Sequence, residues 1–300
     1  MAPVDGESYS GRGLGWGRGT GVALGMSSGK HWLVVGGGNM ASALIGGACR
    51  AGVLEPSGVI IAELDVGKHA GWRSMGCVVV GGAGEGYAAL RSAEGERDGG
   101  VVLLAVKPQG LASVGAALSP VLMGSGRLVV SILAGVRSAT VKAAMGGTVR
   151  VARVMPNLGA SVGEGAAAWW SEQPDPHARA VVASVSPVVI DLEETLFDAF
   201  TAVGGSGPAY LFALAEAMIG GGVRAGLSPE DADRVVRQTL RGAALMLWAS
   251  GEAPGALRSA VTSKGGTTAA ALTVLEAAAW GEAMSRAVVA ARDRGRELGA

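Results

Sequence analysis

The sequence predicts a doubly wound α/β domain followed by a C-terminal domain made only of helices. A glycine-rich turn comes directly after the first apolar strand, at residues 36–41. Short β-branched runs then alternate with alanine- and leucine-rich stretches up to about residue 195. From there to residue 300 the apolar residues keep helical spacing only. Alternating strands and helices are typical of a parallel sheet covered on both faces, so an α/β sheet precedes the all-α part.

Composition indicates a soluble chain with small-molecule partners. Of the 300 residues 49% are hydrophobic, and 25 Lys and Arg balance 25 Asp and Glu. Such a chain buries a substantial core, and zero net charge gives no field that attracts nucleic acid. The apolar stretches are interrupted by proline, glycine and serine, so no membrane span is predicted. Cys49 and Cys77 form neither a disulfide framework nor a metal motif, which favours a reducing, cytoplasmic location.

Residues 1–30 differ in composition from the rest of the chain. They are rich in glycine and lack apolar periodicity. They contain neither the continuous apolar segment of a secretory signal nor the arginine excess of a transit peptide. We therefore expect a disordered tail, with folded structure beginning at His31.

The first strand leads into a turn suited to a dinucleotide. Residues 32–35, Trp-Leu-Val-Val, have the pattern of a buried strand, and a helix-like segment follows Ala41. In a dinucleotide-binding turn one glycine permits the bend and the next lets the backbone approach the pyrophosphate, while a small third residue lets helix and strand pack. Gly36, Gly38 and Ala41 occupy those positions, although in a chain with 51 glycines a structural turn explains the same motif. The sheet is therefore predicted to be Rossmann-like, with cofactor contacts at Gly36, Gly38, Asn39, Met40 and Ala41.

Five further apolar runs predict the other strands, at residues 59–62, 77–80, 101–106, 128–132 and 149–155. Ligands of doubly wound sheets bind beyond the carboxyl ends of the strands. There, Lys107 suits phosphate or amide oxygens and Asn157 suits the carboxamide of nicotinamide. A solvated lysine and a turn asparagine are the alternatives. The predicted cofactor-facing residues at these ends are Ala105, Val106, Lys107, Pro108, Ala134, Gly135 and Asn157.

The C-terminal part, residues 196–300, carries helix signals only. Ser228-Pro229-Glu230-Asp231 combines an N-cap serine, a proline at the first helical position and acids in the first turn, and Gly226 and Gly251 are typical of helix ends. The apolar stripes are wide for so small a domain, so we expect a second copy of the chain to cover them. The predicted helices span residues 207–225, residues 229–250, a segment starting near Ala256, and a last segment through residues 272–284 toward Arg294.

Five motifs occur in a fixed order along the chain. They are Gly-Gly-Asn-Met-Ala at 37–41, Ala-Val-Lys-Pro-Gln at 105–109, Arg-Val-Met-Pro-Asn at 153–157, Gly-Ser-Gly-Pro-Ala-Tyr at 205–210 and Gly-Gly-Thr-Thr at 265–268. In this order and spacing the chain resembles the Δ1-pyrroline-5-carboxylate reductase family from His31 to its C-terminus.

The resemblance implies an NAD(P)H-dependent oxidoreductase that reduces 1-pyrroline-5-carboxylate to L-proline, the last step of proline biosynthesis. It implies that residues 31–195 form a dinucleotide-binding Rossmann domain. Residues 196–300 would form a helical dimerisation and substrate domain that interlocks with its mate in a homodimer or higher homo-oligomer. The substrate would lie between the nicotinamide and the loop before a C-terminal helix.

That loop, residues 261–268, also has the features of an anion site. Its glycine turn places free backbone N–H groups and hydroxyls at a helix N-terminus, which suits a carboxylate. A structural turn with Thr267 as N-cap explains the same pattern. By the resemblance, Thr268 aligns with the threonine to which the family assigns the hydrogen bond to the substrate nitrogen, a catalytic role. The predicted substrate-binding residues are Val261, Thr262, Ser263, Gly265, Gly266 and Thr267.

The residues after the second strand bear on the choice of cofactor. Glu63 and Asp65 lie about where a carboxylate takes a ribose 2′-hydroxyl and repels a 2′-phosphate, which favours NADH. Lys68 or Arg73 would attract the phosphate, and the family more often uses NADPH. We therefore expect NADPH, with NADH as the alternative.

The sequence leaves two other functions open. One is a related imine or hydroxyacid reductase with another substrate, and the other is a non-catalytic nucleotide-binding dimer. A hydroxyacid dehydrogenase normally has a lysine or histidine acid in its helical domain. Here Lys264 is the only lysine in that part and no histidine follows His177.

Overall fold

The computed structural model describes residues 30–95 and 99–298. Within them, an eight-stranded sheet is covered by helices on both faces, and helices alone follow from Glu194 onward. The predicted fold class, a Rossmann-like α/β sheet followed by an all-α part, is confirmed. The predicted disordered tail lies outside the described residues except for Lys30.

The strands lie across the sheet in the order β3-β2-β1-β4-β5-β6-β7-β8. All neighbours are parallel except β6 and β7, which are antiparallel. From β1 the chain adds strands outward to β3 on one side of the sheet, and from β4 it adds strands outward to β8 on the other side. Ligands of open α/β sheets bind at this switch in strand order, between β1 and β4. The strands are β1 Trp32–Val35, β2 Val59–Ala62, β3 Val78–Val80, β4 Val101–Leu104, β5 Leu128–Ser131, β6 Arg150–Pro156, β7 Ala166–Ser171 and β8 Val188–Asp191.

The sequence pattern predicted β1 to β6 but missed β7 and β8. β7 has the sequence Ala-Ala-Ala-Trp-Trp-Ser, whose alanines give no strand signal because alanine is depleted in strands. The segment nevertheless forms a strand, because its backbone pairs with the long strand β6. The connection between the two strands is too short for a parallel crossover, so β7 returns antiparallel.

Helices of the N-terminal part lie on the two faces of the sheet. Alternate residues of β1 point to opposite faces: Trp32 and Val34 belong to one buried apolar cluster, and Leu33 and Val35 to the other. The first cluster contains residues of α1 to α3 and α7, and the second contains residues of α4 to α6. These helices are α1 Asn39–Ala41, α2 Gly47–Arg50, α3 His69–Ser74, α4 Ala83–Glu94, α5 Leu111–Leu122, α6 Ser138–Ala144 and α7 Pro176–Ala183, and a π-helix, Ser42–Gly46, joins α1 to α2.

The C-terminal part consists of helices only within the described residues. α10 begins after the N-cap Ser228, whose hydroxyl accepts from the Asp231 N–H, and ends at the left-handed Gly251, as the sequence predicted. The helices are α8 Phe197–Phe200, α9 Gly207–Arg224, α10 Pro229–Ser250, α11 Pro254–Ala260, α12 Thr267–Ala277 and α13 Trp280–Leu298, and a π-helix, Thr201–Gly205, joins α8 to the turn before α9.

The single last helix expected from the sequence is in fact two helices, α12 and α13. The break lies at Ala278 and Ala279, and Ala279 has a left-handed φ of 50°. A run of alanines contains no stop signal, and a left-handed non-glycine residue costs about 1 kcal/mol or more. Tertiary packing compensates, because the break lets α13 pack against α8, where Gly295 lies against Asp198.

Large apolar side chains stay exposed in the helical part. Leu211 is 58% exposed, Trp248 70% and Val274 69%. α9, α11, α12 and α13 contain no buried residue among those described. The helical run Glu194–Arg224 also has the length and composition of a membrane span. This is weak evidence for a membrane, because an apolar helix at a protein interface meets the same criterion. Large exposed apolar side chains concentrated in one part of a chain are typical of an interaction surface.

A polar cluster ties the start of the described chain to α7. Lys30 Nζ lies 3.1 Å from Asp175 Oδ2, and Asp175 Oδ1 caps α7 by accepting from the Ala178 N–H at 2.9 Å. The indole N–H of Trp32 donates to Nε2 of His177 at 3.1 Å, which requires a neutral imidazole. Burial and the charge of Lys30 lower the pKa of His177, and the opposing effect of Asp175 is smaller.

We expect the free energy of unfolding to fall as the pH is lowered from about 7.5 to about 5.5, across the ordinary histidine pKa of about 6.5. In this range the folded state, with a lowered His177 pKa, binds fewer protons than the unfolded state, so acid favours unfolding. Urea denaturation at several pH values measures the effect. His177→Gln retains an acceptor for Trp32 but does not titrate, so its pH dependence should be weaker. An unchanged pH dependence in this variant would contradict the assignment.

Candidate active site

The glycine turn, residues 36–41, begins at a position that only glycine fits. Gly36 has a φ of 98°, and its N–H donates to the Ala62 carbonyl at 2.9 Å. A Cβ atom on Gly36 would lie 2.7 Å from the Ala105 carbonyl oxygen. Both backbone conformation and close approach therefore require glycine here.

The peptide groups of Gly37 are held on both sides. Its N–H donates to Glu63 Oε2 at 2.7 Å, and its carbonyl accepts from Trp72 Nε1 at 3.2 Å. A Cβ atom on Gly37 would lie 2.7 Å from that indole nitrogen. The turn is thus fixed by two side chains that are distant from it in sequence.

Glu63 is a buried carboxylate whose oxygens serve the backbone. Oε1 accepts from the Asp65 N–H at 2.8 Å, and Lys68 Nζ lies 3.6 Å from Oε2. Burial alone would raise the pKa of Glu63, but the N–H groups of Asp65 and Gly37 and the charge of Lys68 outweigh it and lower the pKa. The sequence places Glu63 about where a carboxylate takes a ribose 2′-hydroxyl. In the structure its oxygens accept from backbone N–H groups while the residue also lines the cleft described below, so the ribose contact stays a prediction.

The helix that follows the turn offers free backbone donors. Its N-cap, Gly38, makes no side-chain cap, and a Cβ atom on Gly38 would meet nothing within 4 Å. The first N–H groups of a helix have no partner within it. Open space in front of such donors fits the pyrophosphate of a dinucleotide.

A cleft of about 500 Å³ lies beyond the carboxyl ends of β1, β2 and β4. Leu64, which is 84% exposed, adds an apolar side chain to its lining. Glu63 and Lys68 line it as well. The cleft brings together five residues that the sequence assigned to cofactor binding: Gly36, Gly38, Ala105, Val106 and Lys107.

Three other predicted cofactor residues follow β4 and β5. Pro108 begins a short 3-10 helix, Pro108–Gly110, directly after Lys107. Ala134 is exposed, and Gly135 has a left-handed φ of 74°. Gly135 lines a second cavity, of about 460 Å³, rather than the cleft at the glycine turn.

The side-chain amide of Asn157 is largely used within the protein. Oδ1 accepts from the N–H groups of Gly159 at 3.1 Å and Ala166 at 3.0 Å, and Nδ2 donates to the Gly204 carbonyl at 3.1 Å. Asn157 thereby joins the end of β6 to β7 and to the π-helix before α9. One amide N–H is left for a ligand, so its contact with nicotinamide stays a prediction.

A second carboxylate, Glu194, joins the sheet to the helical part, and the sequence did not indicate it. Arg153 NH1 lies 2.7 Å from Glu194 Oε1, and the Ser138 hydroxyl donates to Oε2 at 2.9 Å. The Arg153 guanidinium also stacks 4.6 Å from the Phe197 ring centroid. Burial would raise the pKa of Glu194, but the hydrogen bonds from Ser138 and Arg153 outweigh it and lower the pKa.

The loop 261–268 ends in an uncapped helix N-terminus. Gly265 has a φ of 72°, and the N-cap of α12 is Gly266, with no side-chain cap. The expectation that Thr267 is the N-cap is wrong, because the extended Gly266 lets its carbonyl accept from the Ala270 N–H at 3.1 Å and the helix starts one residue earlier. Thr267 and Thr268 are the first two helical residues, with free N–H groups.

The loop and the cleft are not joined within one chain. Of the loop hydroxyls, that of Thr262 donates to the Arg258 carbonyl at 2.6 Å. Throughout the described residues, no hydrogen bond or ion pair connects residues 261–268 with the sheet domain, and none of these residues lines the cleft at the glycine turn. The two halves of the predicted site are therefore separate in a single copy.

Two family models match the chain. One, described as pyrroline-5-carboxylate reductase dimerisation, matches residues 194–298. The other, described as NADP oxidoreductase coenzyme F420-dependent, matches residues 33–135.

Curated relatives cover nearly the same span. The pyrroline-5-carboxylate reductase of Pseudomonas aeruginosa is 38% identical, over 88% of this chain and 95% of the relative. That of Pisum sativum is 35% identical, over 88% of this chain and 94% of the relative.

Solved structures agree with the sequence relatives. A pyrroline-5-carboxylate reductase from Coxiella burnetii superposes with a TM-score of 0.79 at 30% identity and covers 90% of this chain and 99% of that one. A pyrroline carboxylate reductase from Plasmodium falciparum with NADP bound superposes with a TM-score of 0.78 at 27% identity and covers 92% and 100%.

Glu63→Gln is expected to raise the Kd of both NADH and NADPH by roughly tenfold, since a buried N–H without its acceptor costs about 1–3 kcal/mol. A glutamine side chain has one acceptor oxygen, so it cannot serve both the Gly37 and Asp65 N–H groups as the carboxylate does. Fluorescence titration with each dinucleotide measures the change.

Asp65→Asn is the matched control, because it removes a neighbouring charge that caps the exposed Gly67 N–H and pairs with Lys68 but does not touch the glycine turn. It should not raise both Kd values, because the Gly37 and Asp65 N–H groups keep their Glu63 acceptor; loss of the charge acts on the preference between NADPH and NADH. If Glu63 acted only as a charge near the ribose, both variants would weaken NADH and strengthen NADPH, which is the result that would overturn its role in the turn.

Proposed function

The chain belongs to the pyrroline-5-carboxylate reductase family, and from that membership we propose that it reduces 1-pyrroline-5-carboxylate to L-proline with a reduced nicotinamide dinucleotide. The observation that carries the proposal is the extent of the similarity, which spans at least 94% of the first two relatives described above. It therefore includes both the glycine turn and the loop 261–268. Residues 31–195 would hold the dinucleotide, and residues 196–300 would form the dimer and carry the substrate loop.

The dinucleotide is proposed to lie in the cleft at the glycine turn. The N–H groups at the start of α1 would hold the pyrophosphate, and the exposed Lys107 would hold phosphate or amide oxygens. The proposed contacts at the turn are Gly36, Gly38, Asn39, Met40 and Ala41. Those after β4, β5 and β6 are Ala105, Val106, Lys107, Pro108, Ala134, Gly135 and Asn157.

NADPH is the proposed cofactor, with NADH as the alternative. Lys68 Nζ lies 3.6 Å from Glu63 Oε2 and so balances one of the two carboxylates expected to oppose a 2′-phosphate. Lys68 lies 3.5 Å from the remaining one, Asp65, and is 45% exposed, and Arg73 is exposed nearby in sequence. A relative with NADP bound supports the same choice.

The loop 261–268 is proposed to bind the substrate. Its free N–H groups at the start of α12 suit the carboxylate of pyrroline-5-carboxylate, with contacts from Val261, Thr262, Ser263, Gly265, Gly266 and Thr267. When bound, the reduced nicotinamide supplies a hydride to the imine carbon. Thr268 would hold the ring nitrogen, which becomes more basic as the carbon is reduced. A substrate that enters protonated needs positioning more than a strong acid, and no histidine follows His177 in the chain.

The active unit is proposed to be a homodimer or higher homo-oligomer. The exposed apolar faces of α9 to α13 need a cover, and the match to a dimerisation family supports a second copy as that cover. Because one chain does not join loop and cleft, the loop of one protomer would complete the cleft of its partner. A cytoplasmic location is also proposed, which the two free cysteines support.

Purified protein should oxidise NADPH, followed by its absorbance, on addition of 1-pyrroline-5-carboxylate. Parallel reactions with NADH at equal concentration test the choice of cofactor, and a strong NADH preference would show that Asp65 dominates over Lys68. Other cyclic imines and 2-keto acids form the control series. Turnover of one of these without turnover of pyrroline-5-carboxylate would favour a related reductase. Dinucleotide binding without any turnover would favour a non-catalytic dimer.

Thr268→Val keeps the side-chain shape but removes the hydroxyl. We expect kcat to fall by roughly ten- to a thousandfold, the range for one lost transition-state contact. The Kd for the dinucleotide should change little, because Thr268 lies outside the cleft at the glycine turn. Thr267→Val is the matched control. An unmodified rate in Thr268→Val together with a slow Thr267→Val would reverse the two roles.

Co-expression of Thr268→Val with Glu63→Gln chains tests whether the site is shared. If each site combines the cleft of one protomer with the loop of the other, mixed dimers contain one intact site. At dinucleotide concentrations below the Kd of Glu63→Gln, the mixture should then exceed both parent proteins in activity. A site contained in one chain gives no such recovery.

A further inference from the structure

A buried histidine that the proposed reaction does not use lies beneath the β2–α3 loop, residues 63–68. His69 is the first residue of α3 and is 7% exposed. Its Nε2 atom lies 2.7 Å from the backbone carbonyl oxygen of Glu63. A carbonyl oxygen only accepts, so Nε2 carries the hydrogen and donates it. The imidazole therefore ties the start of α3 to the first residue of the loop.

α3 holds two different parts of the proposed dinucleotide cleft through one of its faces. Residues three apart in a helix share a face, and three residues after His69 the buried Trp72 donates its indole N–H to the Gly37 carbonyl at 3.2 Å. The glycine turn faces the pyrophosphate, which NADH and NADPH share. The β2–α3 loop follows the second strand, where the ribose 2′ substituent is recognised. Trp72 therefore acts on the shared part of the ligand and His69 on the part that differs.

The β2–α3 loop presents one cation to the cleft. Lys68 directly precedes His69, lines the cleft and has a side chain that is 45% exposed. Its Nζ lies 3.6 Å from Glu63 Oε2 and 3.5 Å from Asp65 Oδ2. The ammonium group is thus held at the cleft by carboxylates of the same loop, and its position depends on where the loop lies.

Polar contacts fix the position of the loop. Leu64 and Val66 are 84% and 73% exposed, so their side chains contribute little packing. Within the loop the Asp65 N–H donates to Glu63 Oε1 at 2.8 Å. The contact from His69 to the Glu63 carbonyl differs from this one, because it comes from a buried side chain of α3 rather than from the loop itself. Loss of the imidazole donor would leave that carbonyl without its partner and release the base of the loop.

We propose that His69 is a positioning residue for NADPH: by holding the Glu63 carbonyl it fixes the β2–α3 loop and keeps the Lys68 ammonium within reach of the 2′-phosphate. The inference rests on the proposed dinucleotide function and deepens it, because it names the buried side chain on which the preference for NADPH depends. An attraction between ammonium and phosphate weakens with distance. A displaced loop therefore lowers the affinity for NADPH, while the contacts at the glycine turn still hold NADH.

The test compares the Kd values of NADPH and NADH, measured by fluorescence titration of full-length variants. His69→Leu removes the donor but keeps an apolar side chain at the buried position. We expect the Kd of NADPH to rise roughly tenfold and that of NADH by less than about twofold, as for one weakened contact to a charged group. His69→Gln restores an N–H donor, so the Kd of NADPH should return close to that of the unmodified chain.

Trp72→Phe is the matched control on the same face of α3. It keeps an aromatic ring but loses the N–H that binds the Gly37 carbonyl, so both Kd values should rise by a similar factor. Lys68→Met shows whether His69 acts through the lysine. In that background His69→Leu should raise the Kd of NADPH little further, because both changes remove the same contact and their effects do not add.

Three results would overturn the role of His69. They are an unchanged Kd of NADPH in His69→Leu, an equal rise in the Kd of both dinucleotides, and full additivity of His69→Leu with Lys68→Met. The second would show that the imidazole only stabilises the fold, and the third that it does not act through Lys68. An unmodified chain that binds neither dinucleotide would contradict the proposed function as well, whereas dinucleotide binding without a selective effect of His69→Leu contradicts this inference alone.

Discussion

The geometry of the proposed dinucleotide cleft depends on one buried carboxylate. Glu63 accepts the Gly37 N–H and the Asp65 N–H, so a single side chain fixes both the glycine turn and the segment after β2. Trp72 holds the other side of the turn through the Gly37 carbonyl. With the turn held in place, the N-terminus of α1 faces open space next to Gly38. The free N–H groups there are ready for an anion without further rearrangement, which lowers the entropic cost of binding.

The two parts of the chain differ in how completely they bury their apolar surface. The sheet domain has two closed apolar clusters, one on each face, in which Leu33, Val34 and Ile61 are fully buried. The helical part leaves side chains such as Trp248 and Val274 in water. Hydrophobic stabilisation follows the apolar area removed from water, so the helical part gains further stability when a partner covers these side chains. The same partner is proposed to join the loop 261–268 to the cleft.

The linkage between the parts is polar and local. Glu194 binds Arg153 and Ser138 at the point where the helices begin, and Asn157 binds Gly204 of the following π-helix. These contacts position the start of the helical part against the ends of β5 and β6. An imine reductase needs a fixed relation between the hydride donor and the substrate nitrogen, and satisfied polar contacts of this kind hold the two parts of the chain in one arrangement.

The sequence by itself determined the features that depend on neighbouring residues: the strands β1 to β6, the glycine turn, the ends of α10 at Ser228 and Gly251, and the motifs of the reductase family. Steric limits on the backbone and the periodic spacing of apolar side chains act over a few neighbouring residues, so short segments of sequence are enough to predict these features. Only the tertiary structure decided that Glu63 binds the Gly37 N–H, that an alanine-rich segment becomes β7 and that Ala279 breaks the last helix. Each of these depends on contacts between distant parts of the chain, and packing there overrides weak local propensity.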